Sequence, residues 1–465
     1  MPQRQATKEE LVAKWTLQGR RGLVDSSGRL LLKNLTYEEL HEWCQATGER
    51  EQRTRHIWRW LYHDGLWMRS MEETVGQQDG FGPSFRAKAV PRVSTDGELQ
   101  LLHTTRSSDG TQKLVFALKD GGGTVETVLI PVMRSPGNRT RLTICVSSQV
   151  GCAMNCQFCF TGRMGLRGNL STAQIIEQVV EARRLLASQA APERPVPITN
   201  LVFMGMGEPL DNLPALLPAI EILTHPLGLH FGQGRVTVST VGLVPQMQTL
   251  MAHNRSMLAV SLHATTDEVR DWICPVNRRW PLASLLGALK ELFPRVTFPS
   301  RPSTPSQSQQ ALSSAIPDYS HVAAQSPAAV HSSAHPLSGE HERPSELPSE
   351  PQEASCSSQT QPAAQIALQT SPYGPTRLKT HASGRNFVMF EYVMLAGVND
   401  TAEDAHRLLL LTQGIECKYN LIEFNSHPGT RFQGSDPDTI QAFRSILAGE
   451  SGSPGGTYCF LALSW

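Results

Sequence analysis

Apolar residues recur at three- and four-residue steps through LTYEELHEWC and RTRHIWRWLYHDGLW, which predicts a small helical module over residues 31 to 92. Around residues 97 to 133 the spacing changes to alternation of apolar and polar positions, in ELQLLHTTRSSDGTQKLVFALKDGGGTVETVLIPV, broken by Asp-Gly and Gly-rich turn signals. That pattern predicts hairpins in a short antiparallel sheet. From residue 141 apolar strands alternate with helical spacing: RLTICVSS, ITNLVFMGM, RVTVSTVG, SMLAVSLHA, NFVMFEYVML and KYNLIEFN are each followed by a predicted helix. The first of these helices starts at Ser171, with Gln174 placed to complete a capping box. Six strand–helix units in a row predict a parallel sheet, open or curled into a partial barrel, with function at the C-terminal ends of its strands.

One segment breaks the rhythm. Positions 301 to 380 hold 16 Ser and 11 of the 31 Pro, a composition that buries too little apolar surface to order itself. The predicted organisation is therefore a helical accessory domain (31–95), a β-hairpin extension (96–140) and an α/β body in two pieces (141–299 and 385–450). A disordered Ser/Pro-rich insertion (300–384) separates the two pieces, and an atypical tail (451–465) follows them.

Charge narrows the function classes. Lys plus Arg and Asp plus Glu both total 42, which rules out a generally basic nucleic-acid coat but leaves local patches open. In the helical module Arg53, Arg55, Arg59 and Arg69 interleave with Trp58, Trp60 and Trp67, a mixture that suits RNA. Aromatics at helical spacing fit a packed core better, with the arginines as its solvated face. No apolar run approaches the length of a membrane span, and the N-terminal segment carries acidic as well as basic residues and little Ser, which leaves an organelle transit peptide open but weakly supported. Five of the nine cysteines are scattered singly, as in a compartment that keeps thiols reduced, and a cytoplasmic location is expected, with chloroplast or mitochondrion as alternatives.

The other four cysteines lie within fifteen residues, CVSSQVGCAMNCQFC, after the first strand of the α/β body. Cys152, Cys156 and Cys159 are spaced C-x3-C-x2-C, and three thiolates on one loop can ligate three irons of a cubane, leaving the fourth iron open. Structural zinc is the alternative, with Cys145 as a fourth ligand, and spacing alone does not separate the two. Placement favours iron, because a structural zinc loop has no reason to sit at the mouth of a βα sheet.

The spacing and its neighbours resemble a family. VETVLIP (125–131), TICVSSQVGCAMNCQFCFTG (143–162), VFMGMGEPLDN (202–212), VTVSTVG (236–242), AVSLHA (259–264), FEYVMLAGVND (390–400) and NLIEFNSHPG (420–429) together are similar to the RlmN/Cfr family of radical S-adenosylmethionine RNA methyltransferases, which act on adenine C2 or C8. The resemblance implies a partial (β/α)6 radical-SAM barrel with a [4Fe-4S] cluster held by Cys152, Cys156 and Cys159. It assigns Gly207, Glu208 and Leu262 to S-adenosylmethionine, Glu208 through the ligand's ammonium group, and Ser239, Ser261, His263 and Asn425 to the ligand's carboxylate and ribose. Glu126 matches the general base that removes the adenine C2 proton, and a carboxylate in an apolar strand suggests the raised pKa this needs. Cys145 matches a thiol that binds no metal and resolves a covalent protein–RNA intermediate.

The same resemblance implies C2 methylation of large-subunit ribosomal RNA, with transfer RNA as a second candidate. It also implies an electron donor such as flavodoxin or ferredoxin, a monomer, and no membrane association. Two departures stand out. The family's Ser after the third strand is Val241 here, and the Ala-Cys-Gly segment with the methyl-carrying cysteine has no match after FRSILAGESG. Cys459, in SPGGTYCFLALSW, lies in an unrelated context, and a truncated or altered terminal reading frame is the expectation that accounts for it; the alternative function is an iron–sulfur or zinc RNA-binding protein derived from this family that has lost methyl transfer with its acceptor cysteine.

Overall fold

The computed structural model describes residues 6–132, 140–190, 195–295 and 387–449, and the backbone of 458–462; the insertion predicted at 300–384 lies outside the described residues. The chain begins with a helix the apolar spacing did not announce, α1 (Lys8–Leu17), closed at its start by a Thr7/Glu10 capping box and anchored by buried Leu11 and Trp15. Helices α2 (Tyr37–Ala46), α3 (Glu51–Tyr62) and α4 (Pro83–Ala89) make up the expected module. Its tryptophans are core residues: Trp43, Trp58 and Trp60 pack among Leu40, Ile57 and Leu61, so truncating Trp58 to Ala should cost about 3–5 kcal/mol. Arg59 pairs on the outside with Asp79 and Arg69 with Glu181, as expected of a solvated face. Two short parallel strands, β1 (Leu30–Leu31) and β2 (Val93–Ser94), close the module at its two ends.

The hairpin strands β3 (Leu99–Arg106), β4 (Gln112–Leu118) and β5 (Thr124–Val132) are antiparallel, and they continue the main sheet because β5 pairs with the first barrel strand, β6 (Arg141–Cys145). A ribbon of β7 (Gln149–Gly151) and β8 (Leu166–Asn169) follows and brackets the cysteine loop, whose inner part forms the short helix α5 (Phe160–Arg163). The chain then alternates α6 (Thr172–Ala190), β9 (Ile198–Phe203), α7 (Leu213–Thr224), β10 (Val236–Thr240), α8 (Val244–His253), β11 (Met257–Ser261), α9 (Asp267–Ile273) and α10 (Leu282–Leu292). After residue 387 come β12 (Val388–Met394), α11 (Ala402–Leu411), β13 (Cys417–Glu423), α12 (Pro437–Gly449) and β14 (Tyr458–Ala462).

Strand order in the ten-stranded sheet is β14-β13-β12-β11-β10-β9-β6-β5-β4-β3, parallel from β6 to β14. This is the partial (β/α)6 barrel, with the antiparallel extension on one edge and a further parallel strand, β14, on the other. β14 falls within the stretch expected as a tail, and its register sets Cys459 beside Tyr419. The predicted cap of α6 is present in both directions, Ser171 N–H to Gln174 Oε1 at 2.9 Å and Gln174 N–H to Ser171 Oγ at 3.1 Å. No helix among the described residues is long and apolar enough to cross a membrane.

Module and barrel are joined through buried polar groups. Lys33 Nζ meets Glu177 Oε1 of α6 at 2.9 Å, both side chains almost wholly out of water, and Glu177 Oε2 accepts the backbone N–H groups of Glu98 and Leu99. Beside them Arg20 reaches Glu39, Thr172 and the Asn34 carbonyl, while Asn34 Oδ1 accepts the Ala173 N–H at 2.9 Å.

Candidate active site

The site is assembled where β6, β9, β10 and β11 end. The chain leaving Cys145 runs through Val146–Gln149 and is held by a buried side chain from α6: Gln178 Oε1 accepts Ser147 N–H at 2.8 Å and Gln178 Nε2 donates to the Ser147 carbonyl at 2.9 Å. Ser147 Oγ donates to the Glu126 carbonyl at 2.6 Å and accepts Met206 N–H at 3.0 Å, so one hydroxyl links β5, the thiol segment and GMGEP. Ser148 and Gln149 both donate backbone N–H groups to the Met206 carbonyl, and Gln149 Oε1 accepts the Glu208 N–H at 2.8 Å. The approach is so close that a Cβ on Gly207, whose φ is +103°, would lie 2.8 Å from the Gln149 nitrogen.

The three clustered thiols occupy the loop between β7 and β8. Cys152 N–H donates to the Gly165 carbonyl at 3.1 Å, closing the loop at its neck, and Gly151 there has no room for a side chain because a Cβ would strike that carbonyl. Cys156 is buried, while Cys152 and Cys159 are partly open. Burial pushes the Cys152 thiol up to about 12, and Cys156 is raised well above the ordinary range, chiefly by its hydrogen bond with Cys274. Among the described residues no three His, Cys, Asp or Glu side chains stand in metal-holding positions. The donor set nevertheless fits an iron–sulfur cluster: Cys156 lies within electrostatic reach of both Cys152 and Cys159, and an apolar wall of Ala264, Val393, Leu395 and Phe432 surrounds it.

Glu208 is wholly buried. Its oxygens accept the Leu210 N–H at 3.1 Å and the Val241 N–H at 3.0 Å, and burial still lifts its pKa to about 7. The backbone of Val241 places its N–H on Glu208 and its carbonyl on Arg270, contacts that need no Ser hydroxyl, and its side chain packs against the apolar cluster around Cys156. His263 adopts a left-handed φ of +58°. Its Nδ1 accepts the Val393 N–H at 3.1 Å, which places the ring proton on Nε2, and burial together with Arg270 holds its pKa down at about 3. Leu262 packs its side chain into the core and bonds through its backbone alone, N–H to the Glu391 carbonyl and carbonyl to Arg270. Asn425 lies exposed past the end of β13, on a loop pinned to the cysteine loop by Arg163 on the Gly429 carbonyl and by His427 Nε2 at 3.1 Å from the Phe158 carbonyl.

Cys145 belongs to the sheet and not to the cysteine loop. It pairs with Val128 of β5, so the two-residue repeat of the strand sets Glu126 on the same face. Its thiol is 3% exposed and burial pushes its pKa up to about 12. Glu126 lacks the apolar setting its sequence suggested: alternation gives Val125 and Thr127 the packed face, and the Glu126 side chain is 45% exposed and paired with Lys113 at 3.1 Å.

Three contributors escaped the sequence reading. Arg270, fully buried, donates to the carbonyls of Val241, Ser261 and Leu262 and so fixes the ends of β10 and β11 together. Asn399 bridges the His263 and Val393 carbonyls at 2.7 Å each. Glu391, in the middle of β12, accepts Ser239 Oγ at 2.7 Å and Ser261 Oγ at 3.4 Å. A single carboxylate in the apolar run VMFEYVML was the one signal available for it.

A thiol loop laced to a glycine loop at the C-terminal ends of six parallel strands defines a radical S-adenosylmethionine enzyme, and the radical SAM superfamily pattern matches residues 146–299. A solved radical SAM methyltransferase from Sphaerobacter thermophilus superposes with a TM-score of 0.64 at 29% identity, covering 93% of this chain and 95% of that one. The dual-specificity RNA methyltransferase RlmN of Geotalea uraniireducens is 35% identical over 90% of this chain and 89% of the relative, and that of Pelobacter propionicus 36% over 90% and 88%. The chain belongs to the RlmN family of RNA methyltransferases.

Proposed function

We propose that this protein methylates C2 of an adenosine in large-subunit ribosomal RNA, with transfer RNA as a second substrate, by way of a cysteine-borne methyl group. The observation that carries the reading is the lacing of the segment leading into the cysteine loop to GMGEP, with Cys152 within electrostatic reach of Glu208, because it brings the proposed cluster and cofactor sites together. Cys152, Cys156 and Cys159 would hold a [4Fe-4S] cluster, which when bound supplies the electron that cleaves S-adenosylmethionine into a radical able to reach an unactivated carbon. Glu208 offers its carboxylate to the cofactor's ammonium group when ionised, and neutral His263 keeps an Nε2–H donor for the same ligand.

Glu126 and Cys145 share one face of adjacent strands, so a base and a resolving thiol would stand on the same side of a target base. The raised pKa of Cys145 keeps it a thiol, inert until a proton acceptor arrives with the substrate. Exposed aromatics suit unstacked RNA bases: Phe160 is 58% and Trp272 41% exposed, and the Arg431 guanidinium lies 5.0 Å from the Trp272 ring centre. A flavodoxin- or ferredoxin-type protein would deliver the electron to a monomeric enzyme.

The Ala-Cys-Gly segment that carries the family's methyl group has no match after Gly449, and the backbone of Cys459 is level with Tyr419, four residues below the end of β13. The test therefore uses the reconstituted chain both as it stands and with a family-type Ala-Cys-Gly tail grafted after Gly449. The grafted protein should convert labelled S-adenosylmethionine and unmodified ribosomal RNA into 2-methyladenosine, read by mass spectrometry of the digested nucleosides. Label at C8 would refute the C2 assignment, and 2-methyladenosine formed by the ungrafted chain in a Cys459-dependent way would restore that residue as methyl carrier.

A further inference from the structure

Glu391 occupies the floor of the candidate site, three residues before the end of β12 and in register with Ser261 on one side and Asn420 on the other. One of its oxygens, Oε2, takes the Ser239 and Ser261 hydroxyls. The other, Oε1, is buried and receives no hydrogen bond of ordinary geometry within the protein, although the Asn420 amide lies beside the carboxyl group. A buried carboxylate oxygen without a partner is costly to leave so, and this one lies among the residues proposed to hold the cofactor.

The hydrogen-bond directions narrow the ligand. Ser239 and Ser261 spend their O–H protons on Glu391, so what they offer upward is lone pairs. Together with Oε1 they form a surface of acceptors. A carboxylate, itself acceptor-only, is a poor partner for such a surface, while neighbouring hydroxyls that can each donate are a good one. The cofactor's ammonium group has its own carboxylate in Glu208, on the far side of β10.

Resting on the reading of this site as one for S-adenosylmethionine, we propose that Glu391 binds the adenosyl ribose. Oε1 accepts a hydrogen bond from a ribose hydroxyl, while Oε2 keeps the Ser239 and Ser261 lone pairs turned toward the same diol. The methionyl carboxylate is bound elsewhere.

The experiment measures dissociation constants for reconstituted wild type, Glu391→Met and Glu391→Gln with S-adenosylhomocysteine, its 2′-deoxy and 3′-deoxy forms, and decarboxylated S-adenosylmethionine. Wild type should lose about tenfold in affinity when the bonded hydroxyl is removed, Glu391→Met less than about threefold, and Glu391→Gln an intermediate amount, since its amide keeps only one acceptor oxygen. Removing the carboxylate from the ligand should weaken wild type and Glu391→Met alike. Equal sensitivity of wild type and Glu391→Met to the deoxy ligands, or a Glu391 effect that follows the carboxylate, would overturn the proposal. If a variant does not fold, indifference of wild type to both deoxy ligands overturns it alone. Failure of wild type to hold iron or bind S-adenosylhomocysteine would defeat the cofactor reading itself, a result distinct from the others.

Discussion

Glu177, where the helical module meets the barrel, and Glu391, on the barrel floor, are both carboxylates removed from water, and their surroundings treat them differently. Glu177 has a lysine ammonium on one oxygen and two backbone N–H groups on the other. Glu391 has two hydroxyls on one oxygen and nothing of ordinary geometry on the other, and burial raises its pKa. The first carboxylate is complete within the folded chain and serves to hold two parts of it together. The second is left incomplete at the proposed cofactor site, and on that proposal the difference separates a residue that stabilises from one that binds.

The largest expected effect breaks the joint. Lys33→Met leaves Glu177 charged and buried without its cation, and urea unfolding should show a loss of about 3–5 kcal/mol, a large part of it recovered in the Lys33→Met/Glu177→Gln double variant, whose amide oxygen still accepts the Glu98 and Leu99 N–H groups. A single-variant loss under about 1 kcal/mol would mean that the joint is not held by this pair.

Glu208 stands between the two cases, since both its oxygens are bonded and yet its pKa is raised from 4.5 to about 7. Because the ammonium needs the ionised form, S-adenosylmethionine binding by the reconstituted protein should strengthen about tenfold from pH 6 to pH 8, and Glu208→Gln should flatten that profile. Stability runs the other way. The stabilisation from this group is fully present below the unfolded pKa of 4.5 and is lost as pH rises through about 7. Binding that is flat with pH in wild type would remove Glu208 from the ammonium site.

The smallest effect sharpens the contrast. Glu391→Met gives up two hydroxyl contacts but also removes a buried carboxylate, so its stability should stay within about 1 kcal/mol of wild type in urea unfolding. A loss comparable with that of Lys33→Met would make Glu391 a structural residue and erase the distinction.

What could be read from the sequence was whatever is local. Six strand–helix repeats, the spacing of Cys152, Cys156 and Cys159 and the Ser171–Gln174 cap are properties of neighbouring residues, and the described structure places all six strands and the cap where they were expected. The setting of Glu126 was not local: alternation identifies two faces of β5, but only pairing with β6 shows which one Cys145 shares. Arg270 and Glu391 were hidden for the same reason. The carbonyls of Arg270 lie on two strand ends, and the serines of Glu391 lie 152 and 130 residues away along the chain. Helix α1 spreads its apolar residues around the helix, with Leu11 and Trp15 buried but Leu17 exposed, so it shows no clean stripe, and its capping box was its clearest mark.

The most direct test of the account is cofactor cleavage by the reconstituted protein. Wild type, loaded with iron and sulfide without oxygen and reduced with dithionite, should hold about four irons and convert S-adenosylmethionine to methionine and 5′-deoxyadenosine. Cys145→Ala should do the same, while the Cys152/Cys156/Cys159 triple Ala variant should hold no cluster and cleave nothing. A colourless protein with one zinc, undiminished iron in the triple variant, or loss of iron in Cys145→Ala would contradict the assignment of these four thiols.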